Sequence, residues 1–376
     1  MASKWWLLAV GLLMGTAQAE SLLLQGTIGR AAVVVELDIG ADGQVDGRYF
    51  YRKYHEDIAL SGQRQADGSL LLDENPGDAG QRSELTLRAQ GQGWQGKWQR
   101  PKSKQALPVS LSPLGAGQLA QSSDPALQSF RQSSPYDYER MVAMKLKPGK
   151  REHFQGYTLQ WWHEPESGIR FFRLLDGFNP EAMKRLNLRL AERQWQEVAD
   201  YFNCQLAGNQ REIGAEYEQT VTPRLINRQL LSASVLTSYF CGGPHPDEED
   251  APLNLDVGTG RVLKLEDLLW LGKGKPQLPR KANGDRVDYQ YEEKMLAPWL
   301  LRQLVRLHPD EFKPDDFSCD YRNPEMWQLV HWYASPQGLY VGPSFPVERG
   351  CEEPEWSVLL WSLVRQHPGA ANYRLP

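Results

Sequence analysis

The residues from 239 to 250 combine several of the side chains that most often do chemistry. The stretch "YFCGGPHPDEED" contains Cys241, His245 and the consecutive carboxylates Asp247, Glu248, Glu249 and Asp250. A histidine beside carboxylates can bind a metal ion or transfer protons. Calcium loops, however, alternate their acidic ligands around a glycine bend, and these carboxylates are consecutive. A solvated acidic loop after a Gly-Gly-Pro turn is therefore the alternative interpretation.

The spacing of the histidines argues against the common catalytic motifs. The seven histidines stand at positions 55, 153, 163, 245, 308, 331 and 367, which excludes H-E-x-x-H and H-x-H metal motifs. The chain also has no nucleophile elbow, Walker loop or dinucleotide-binding fingerprint. Distant residues can still assemble an active site, and His163, Glu164 and His245 would be its candidates. We expect that the protein needs no cofactor and no metal ion. A non-enzymatic protein is the preferred interpretation.

Tryptophan is unusually frequent, with 13 residues in the chain. In "QWWHE", at 160–164, Trp161 and Trp162 would face opposite sides of a strand, next to His163. One indole of this pair is then expected at the surface, where it can stack on a sugar or fill a pocket of a protein partner. Core packing is the alternative, and it is the expected role of Trp94 and Trp98.

The first residues indicate export. "MASKWWLLAVGLLMGTAQAE" has one lysine, an apolar run and an Ala-Gln-Ala cleavage pattern, which predicts a signal peptide cleaved after Ala19. Glycines interrupt the run before it reaches the roughly 20 apolar residues of a membrane helix. We expect a soluble periplasmic protein with no membrane span in the mature chain. A net charge of −5 excludes an overall basic nucleic-acid-binding protein.

Four cysteines fit this compartment. Cys204, Cys241, Cys319 and Cys351 allow three disulfide pairings. Because they close short loops, Cys204–Cys241 and Cys319–Cys351 are preferred. A cysteine zinc site is the rival, but the chain has no C-x-x-C pair.

The pattern of apolar residues predicts two domains. Residues 20–113 read as an all-β antiparallel meander, either a small barrel or a sandwich, with Val33, Val35, Leu37 and Ile39 on one face. Asp-Gly pairs at 42–43, 46–47 and 67–68 are turn candidates. Residues 114–134 are poor in large apolar groups and are interpreted as a linker.

Residues 135–376 are predicted to form an α+β domain, since strand patterns occur on either side of a few helices. One helix is expected from Asn179, as the cap, to Phe202. A second is expected from about Val287 to His308, ended or kinked at Pro298.

Part of this second domain resembles a known domain of unknown function. It is the C-terminal domain of lysozyme-sensing anti-sigma-V factors and of some peptidoglycan deacetylases. The resemblance rests on the strand "LLSASVLTSYF", on the turn residues Gly242, Gly243 and His245, and on "LNLDVGTGRVLKLEDLL" with Asp256, Thr259 and Gly260. The segment "WQLVHWYASPQGLYVGPSFPV" is similar to the closing strands of that domain. The match spans about 230–365, and the residues from 135 look like the segment that accompanies it.

The chain also departs from that family. Pro244 replaces a small residue, the cysteines are additional, and the N-terminal β-rich domain does not accompany the anti-sigma factors. Deacetylase motifs are missing. The resemblance implies an exported module that recognises an envelope component, either lysozyme or a peptidoglycan-related glycan. A cell-wall-acting enzyme with an unrecognised site, or a structural envelope protein, is the alternative.

Overall fold

The computed structural model describes residues 19–75, 82–211, 213–276, 289–313, 319–345, 349–370 and 373. The predicted signal peptide lies outside these residues except for Ala19, as do positions 287 and 288 of the second predicted helix. The chain divides into two compact units. The first contains the N-terminal β-structure and Phe130–Ala143; the second contains Ser122–Ser129, Met144–Gly208 and Ile213–Pro376.

The first unit contains a closed eight-stranded barrel. Each strand pairs antiparallel with the next, and β1 also pairs with β8. The strands are β1 Glu20–Ile28, β2 Ala31–Ile39, β3 Gln44–Tyr51, β4 Asp57–Arg64, β5 Leu70–Glu74, β6 Glu84–Gln90, β7 Gly93–Gln99 and β8 Ala106–Pro113. The predicted antiparallel meander is confirmed, and its form is the barrel.

Apolar side chains fill the interior of the barrel. Val33, Val35, Leu37 and Ile39 are all buried in one core cluster, as their alternation on β2 predicts. Trp94 belongs to the same cluster and Trp98 packs against it. An eight-stranded barrel is just wide enough for its own side chains to fill, so burial of these residues stabilises the closed sheet.

One predicted turn is wrong. Asp46 and Gly47 lie inside β3, paired with Asp38 and Leu37 of β2. A Cβ atom on Gly47 would lie 2.3 Å from the carbonyl oxygen of Glu36. Glycine is required here by the close approach of two strands. The other two pairs do form turns, with Gly43 and Gly68 at φ of 85° and 79°.

The predicted linker is partly helical, and the boundary at 135 is not the one that the structure shows. A 3₁₀ turn, Pro125–Leu127, is followed by helices α1, Gln128–Ser133, and α2, Pro135–Met141. Phe130–Ala143 belong to the first unit. The reason is chemical, because the side chains of α2 bind a carboxylate on the barrel.

That carboxylate is Asp57 of β4. Arg140 donates from Nη2 to Asp57 Oδ2 at 2.5 Å, and the hydroxyl of Tyr136 donates to Asp57 Oδ1 at 2.5 Å. Arg48 lies 3.6 Å from the same carboxylate. The guanidinium of Arg140 also lies over the ring of Phe50, at 5.2 Å. A buried charge is tolerated here because cations and a hydroxyl surround it.

The second unit begins with a three-stranded sheet and a long helix. The sheet has the order β11-β10-β9, formed by β9 Lys147–Phe154, β10 Tyr157–His163 and β11 Arg170–Leu174. Helix α3, Pro180–Gln210, follows. Asn179 caps it as predicted, since its Oδ1 accepts a hydrogen bond from the N–H of Ala182 at 2.9 Å. The helix continues beyond the predicted end at Phe202.

A second sheet surrounds the long strand β13. Its strands are β12 Glu216–Ile226, β13 Leu230–Phe240, β14 Asp247–Asp250 and β15 Leu253–Asp256. Both β14 and β15 pair with β13, at different parts of its length. Side chains of β10, β11, α3, β13 and β15 share one apolar core.

The remaining elements pack around a second core of the same unit. They are α4 Leu265–Leu268, a π-helical turn Glu292–Leu296, α5 Ala297–Leu307, 3₁₀ turns at Pro309–Phe312, Pro324–Trp327 and Arg349–Cys351, strands β16 His331–Ala334, β17 Gly338–Gly342 and β18 Val358–Leu360, and α6 Trp361–Val364. Pro298 lies in the first turn of α5, directly after the π-helical turn Glu292–Leu296, and the helical backbone is continuous from 290 to 307. Pro298 therefore does not end the helix, and the π-helical turn before it is the local irregularity. In the described part of the chain, no helix is long and apolar enough to cross a membrane.

Two disulfides stabilise the second unit. Cys204, on α3, is bonded to Cys241, and Cys319 is bonded to Cys351. This is the pairing that the short loops favoured. No described cysteine is free. Disulfides fit a protein that folds in an oxidising compartment.

Replacing Arg140 by methionine should destabilise the protein by about 3–5 kcal/mol, because Asp57 would keep a buried charge with a main partner removed. Arg88→Met is the matched control, since Arg88 and its partner Asp67 are 75% and 57% exposed; its effect should stay within about 0.5 kcal/mol. Urea unfolding followed by circular dichroism measures both. Equal effects of the two substitutions would contradict the role given to the Asp57 cluster.

Candidate functional site

The two adjacent tryptophans and His163 line one groove of the second unit, with a volume of about 490 Å³. Lys150 of β9, Arg170 of β11 and Gln219 of β12 complete the polar part of its wall. The groove therefore collects residues from two sheets. It brings together the three candidates Trp161, Trp162 and His163.

The pairing around the tryptophans is regular on one side of β10 and irregular on the other. β10 pairs with β11 in an unbroken register, so the side chains of Trp161 and Trp162 point to opposite faces of the sheet, as expected for adjacent strand residues. Both residues still contribute atoms to the lining of the groove. The register between β9 and β10 shifts between Gln160 and Trp162, and the extra residue of this β-bulge lies in β9, at Gly149 and Lys150.

The inner part of the groove is held by packing. The ring of Trp161 meets Phe172 edge-to-face, with the centroids 5.7 Å apart. On the other side, Lys150 Nζ lies 5.8 Å from the centre of the Trp161 ring. The indole Nε1 of Trp161 has no hydrogen-bond partner among the described residues. That nitrogen is buried, so Trp161 acts as a fixed wall of the groove.

Two cations border the groove. Lys150 and Arg170 are exposed, Lys150 is ion-paired with Glu152 at 2.8 Å, and none of the described residues that line the groove is a carboxylate. Glu164, one residue after β10, is buried and accepts hydrogen bonds from Ser167 N and Oγ at 2.7 and 2.8 Å. It stabilises a turn and does not line the groove. The arrangement suits a flat or ring-shaped ligand with negative charge.

The acidic stretch forms a strand and not a solvated loop. Asp247–Asp250 are β14, whose backbone pairs with Leu236–Tyr239 of β13. His245 is exposed before it, with Nδ1 2.9 Å from the carbonyl oxygen of Pro246. Glu249 is exposed, Asp247 and Glu248 are half-buried, and Asp250 is buried. Strand pairing thus separates four consecutive carboxylates into two environments.

The turns predicted from the glycines are present. Gly242 and Gly260 have φ of 80° and 70°, a conformation that L-residues rarely adopt. Asp256 Oδ1 accepts hydrogen bonds from Thr259 N at 2.6 Å and Thr259 Oγ1 at 2.7 Å. Its Oδ2 accepts a hydrogen bond from the hydroxyl of Tyr373 at 2.6 Å. These residues build a hairpin and not a reactive centre.

A second group of reactive side chains was not found from the sequence. Asp250, His331 and Glu353 place ligating atoms within 4.8 Å of one another. Burial raises the pKa of Asp250, and the nearby carboxylate of Glu353 adds to that rise, whereas His331 opposes it. The three residues are far apart in the chain, so spacing rules cannot detect them. Among the described residues, this is the group suited to hold a metal.

His163, in the groove, and His245, beside β14, do not belong to that group. The residues proposed for a scattered active site thus lie at separate places in the second unit. Comparison with known proteins finds no protein-family model and no curated protein that matches the chain. The resemblance to the anti-sigma-V and deacetylase-associated domain stays a prediction.

Replacing Asp256 by alanine should lower the free energy of unfolding by about 2 kcal/mol at neutral pH, since three hydrogen bonds lose their acceptor. Partial burial raises the pKa of Asp256, but hydrogen bonds from Tyr373 and Thr259 outweigh it, so the pKa lies below its usual value. The stabilisation is therefore present above the unfolded-state pKa of about 3.9 and is lost as the pH falls through the lower folded-state pKa.

Denaturant unfolding of the unchanged chain and of Asp256→Ala, at several pH values between neutral and acidic, measures this stabilisation. The difference between their free energies of unfolding should shrink in acid. A difference that is constant or grows in acid would be inconsistent with this account, and Asp38→Ala, at an exposed position of β2, is the control.

Proposed function

We propose that the protein is an exported, periplasmic binding protein that recognises a carboxylate-bearing glycan of the cell envelope. The observation that supports this most strongly is the groove, where two adjacent tryptophans lie beside two exposed cations. The two disulfides and the predicted signal peptide support the compartment. The binding unit would be the α+β domain predicted from the sequence.

The chemistry of the groove explains the choice of ligand. Sugar rings present C–H groups that pack on indole faces, while their hydroxyls need hydrogen-bond partners such as the exposed Thr220, which also lines the groove. Lys150 and Arg170 add attraction for carboxylates, and Arg170 can bind one through two parallel hydrogen bonds. Glycans of peptidoglycan carry such groups. A neutral sugar would use only part of this surface.

Trp162→Ala should weaken binding of soluble peptidoglycan fragments about tenfold, which corresponds to about 1.4 kcal/mol. The loss follows from the removed stacking surface. Isothermal titration calorimetry with the chain lacking residues 1–19 measures it. Tyr54→Ala is the control, because Tyr54 is 60% exposed on the barrel unit. The proposal fails if the wild-type chain binds no fragment, or if both variants bind alike.

Arg170→Gln tests the preference for negative charge. It should weaken binding of carboxylate-bearing fragments at low salt and leave binding of a neutral chito-oligosaccharide nearly unchanged. Arg88→Gln, at a 75% exposed position of the barrel, is the matched control. An equal loss for the charged and the neutral ligand would assign Arg170 a structural role and contradict charge recognition.

A basic protein such as lysozyme is the second candidate, favoured by the acidic strand β14. In the described sheet β14 pairs on one side with β13, and Asp247, Glu248 and Glu249 are at least partly accessible. Such an edge attracts a cationic partner. Changing these three residues to amides should weaken lysozyme binding and reduce its salt dependence, measured by calorimetry. Asp250 is left intact, because it is buried. Unchanged affinity would remove β14 from this interpretation.

A further inference from the structure

Three side chains of the second unit, Asp250, His331 and Glu353, bring buried polar atoms close together. Asp250 Oδ2, His331 Nε2 and Glu353 Oε1 each have almost no contact with solvent and no hydrogen-bond partner among the described residues. Ligating atoms of the same three residues lie within 4.8 Å of one another. Buried polar atoms are nearly always paired, and since His331 Nε2 and Glu353 Oε1 contact each other, Asp250 Oδ2 is the atom that lacks a partner.

The contact between His331 and Glu353 supports this view. His331 Nε2 and Glu353 Oε1 are only 2.7 Å apart, yet neither atom is satisfied by hydrogen-bond geometry. This is the distance of an ion pair when the imidazole is protonated, and a metal ion that replaces the proton would bind the same nitrogen and oxygen. In a tetrahedral zinc site, with bonds of about 2.0–2.2 Å, neighbouring ligand atoms are about 3.3–3.6 Å apart. Small side-chain rotations would bring all three atoms into that range.

The surrounding structure fixes each of the three residues. Asp250 is 5% exposed, and its Oδ1 accepts a hydrogen bond from the N–H of Val235 at 2.7 Å, which leaves Oδ2 for another partner. The hydroxyl of Tyr340 lies 3.2 Å from Glu353 Oε2, which orients that carboxylate with Oε1 towards His331.

Glycine 342 makes room for the histidine. A Cβ atom on Gly342, opposite His331 in the β16–β17 pair, would lie 1.9 Å from Nε2. The imidazole can occupy its position only because this residue has no side chain.

We propose that Asp250, His331 and Glu353 bind a divalent transition-metal ion, with Zn²⁺ as the first candidate. One imidazole and two carboxylates suit Zn²⁺ and, less strongly, Mn²⁺ or Fe²⁺, while calcium and magnesium prefer oxygen ligands alone. This site is separate from the glycan groove and does not depend on it, since the two share no lining residue.

The site has a route for a further ligand. Glu353 belongs to the wall of a cavity of about 490 Å³, which Arg224, Tyr333 and Tyr340 also line. An ion with three protein ligands keeps a fourth position for water or an anionic group. The cavity, and the guanidinium of Arg224 over the Tyr333 ring at 4.5 Å, would favour an oxyanion there.

Titration of Zn²⁺ into the chelator-treated full chain without residues 1–19 tests the proposal. We expect saturable binding and a higher melting temperature that a chelator reverses. His331→Gln and Asp250→Asn should each weaken Zn²⁺ binding by about a hundredfold or more, since each removes a ligand. His245→Gln and Asp247→Asn are the matched controls at accessible positions of the same unit and should bind as the unchanged chain does.

Gly342→Ala gives a second test that leaves all three ligands in the sequence. The added methyl group should displace the imidazole and weaken Zn²⁺ binding, while far-ultraviolet circular dichroism confirms that the variant folds. Visible absorption of Co²⁺ in place of Zn²⁺ should show a tetrahedral spectrum that His331→Gln abolishes. The proposal is overturned by an absence of saturable binding. It is equally overturned if His245→Gln weakens binding as much as His331→Gln.

Discussion

A buried polar connection between Ser232 and Asn254 is the constraint on which the arrangement of the second unit depends. The side chains of these residues, on β13 and β15, are hydrogen-bonded to each other. Asn254 Nδ2 donates to the carbonyl oxygen of Trp332 at 2.8 Å, and Ala334 N donates to Ser232 Oγ at 2.9 Å. Because unpaired buried polar groups cost several kcal/mol, these hydrogen bonds favour one position of β16 against β13. In that position His331 lies near Asp250.

Strand β13 therefore organises more than one sheet. It pairs with β12, β14 and β15. Its residue Ser232 also accepts a hydrogen bond from the N–H of Ala334 at the end of β16. The disulfide of Cys204 with Cys241 connects the residue after β13 to α3. The groove lies at a different feature, the β-bulge in β9 opposite Trp161, which includes the groove residues Gly149 and Lys150. The two candidate sites of this unit therefore depend on different parts of its sheets.

The sequence was sufficient where local rules decide the structure. Alternation of Val33, Val35, Leu37 and Ile39 predicted a strand face, and Asn179 predicted the start of α3, because both signals act over a few residues. It failed where distant residues decide. Gly47 looked like a turn residue until its close contact with β2 was known, and α2 looked like the start of the second domain because its partner Asp57 is far away in the chain.

The candidate sites divide in the same way. Trp161, Trp162 and His163 were found because they are adjacent, although the contribution of Lys150, Arg170 and β12 to the same groove could not be predicted from the spacing. Asp250 was noticed in the sequence because three other carboxylates precede it. His331 and Glu353 were not noticed, because they are distant in the chain and lie near Asp250 only in the folded protein. Long-range pairing is the information that a single sequence does not provide.

The central claim is that the groove beside Trp161 and Trp162 binds an envelope glycan. Nitrogen-15 correlation spectra of the indole N–H groups, recorded while soluble peptidoglycan fragments are added, test it most directly. The account predicts that the resonances of Trp161 and Trp162 shift in a saturable way, while those of buried tryptophans such as Trp195 and Trp327 stay in place. Shifts confined to other tryptophans, or no shift at saturating glycan, would contradict it.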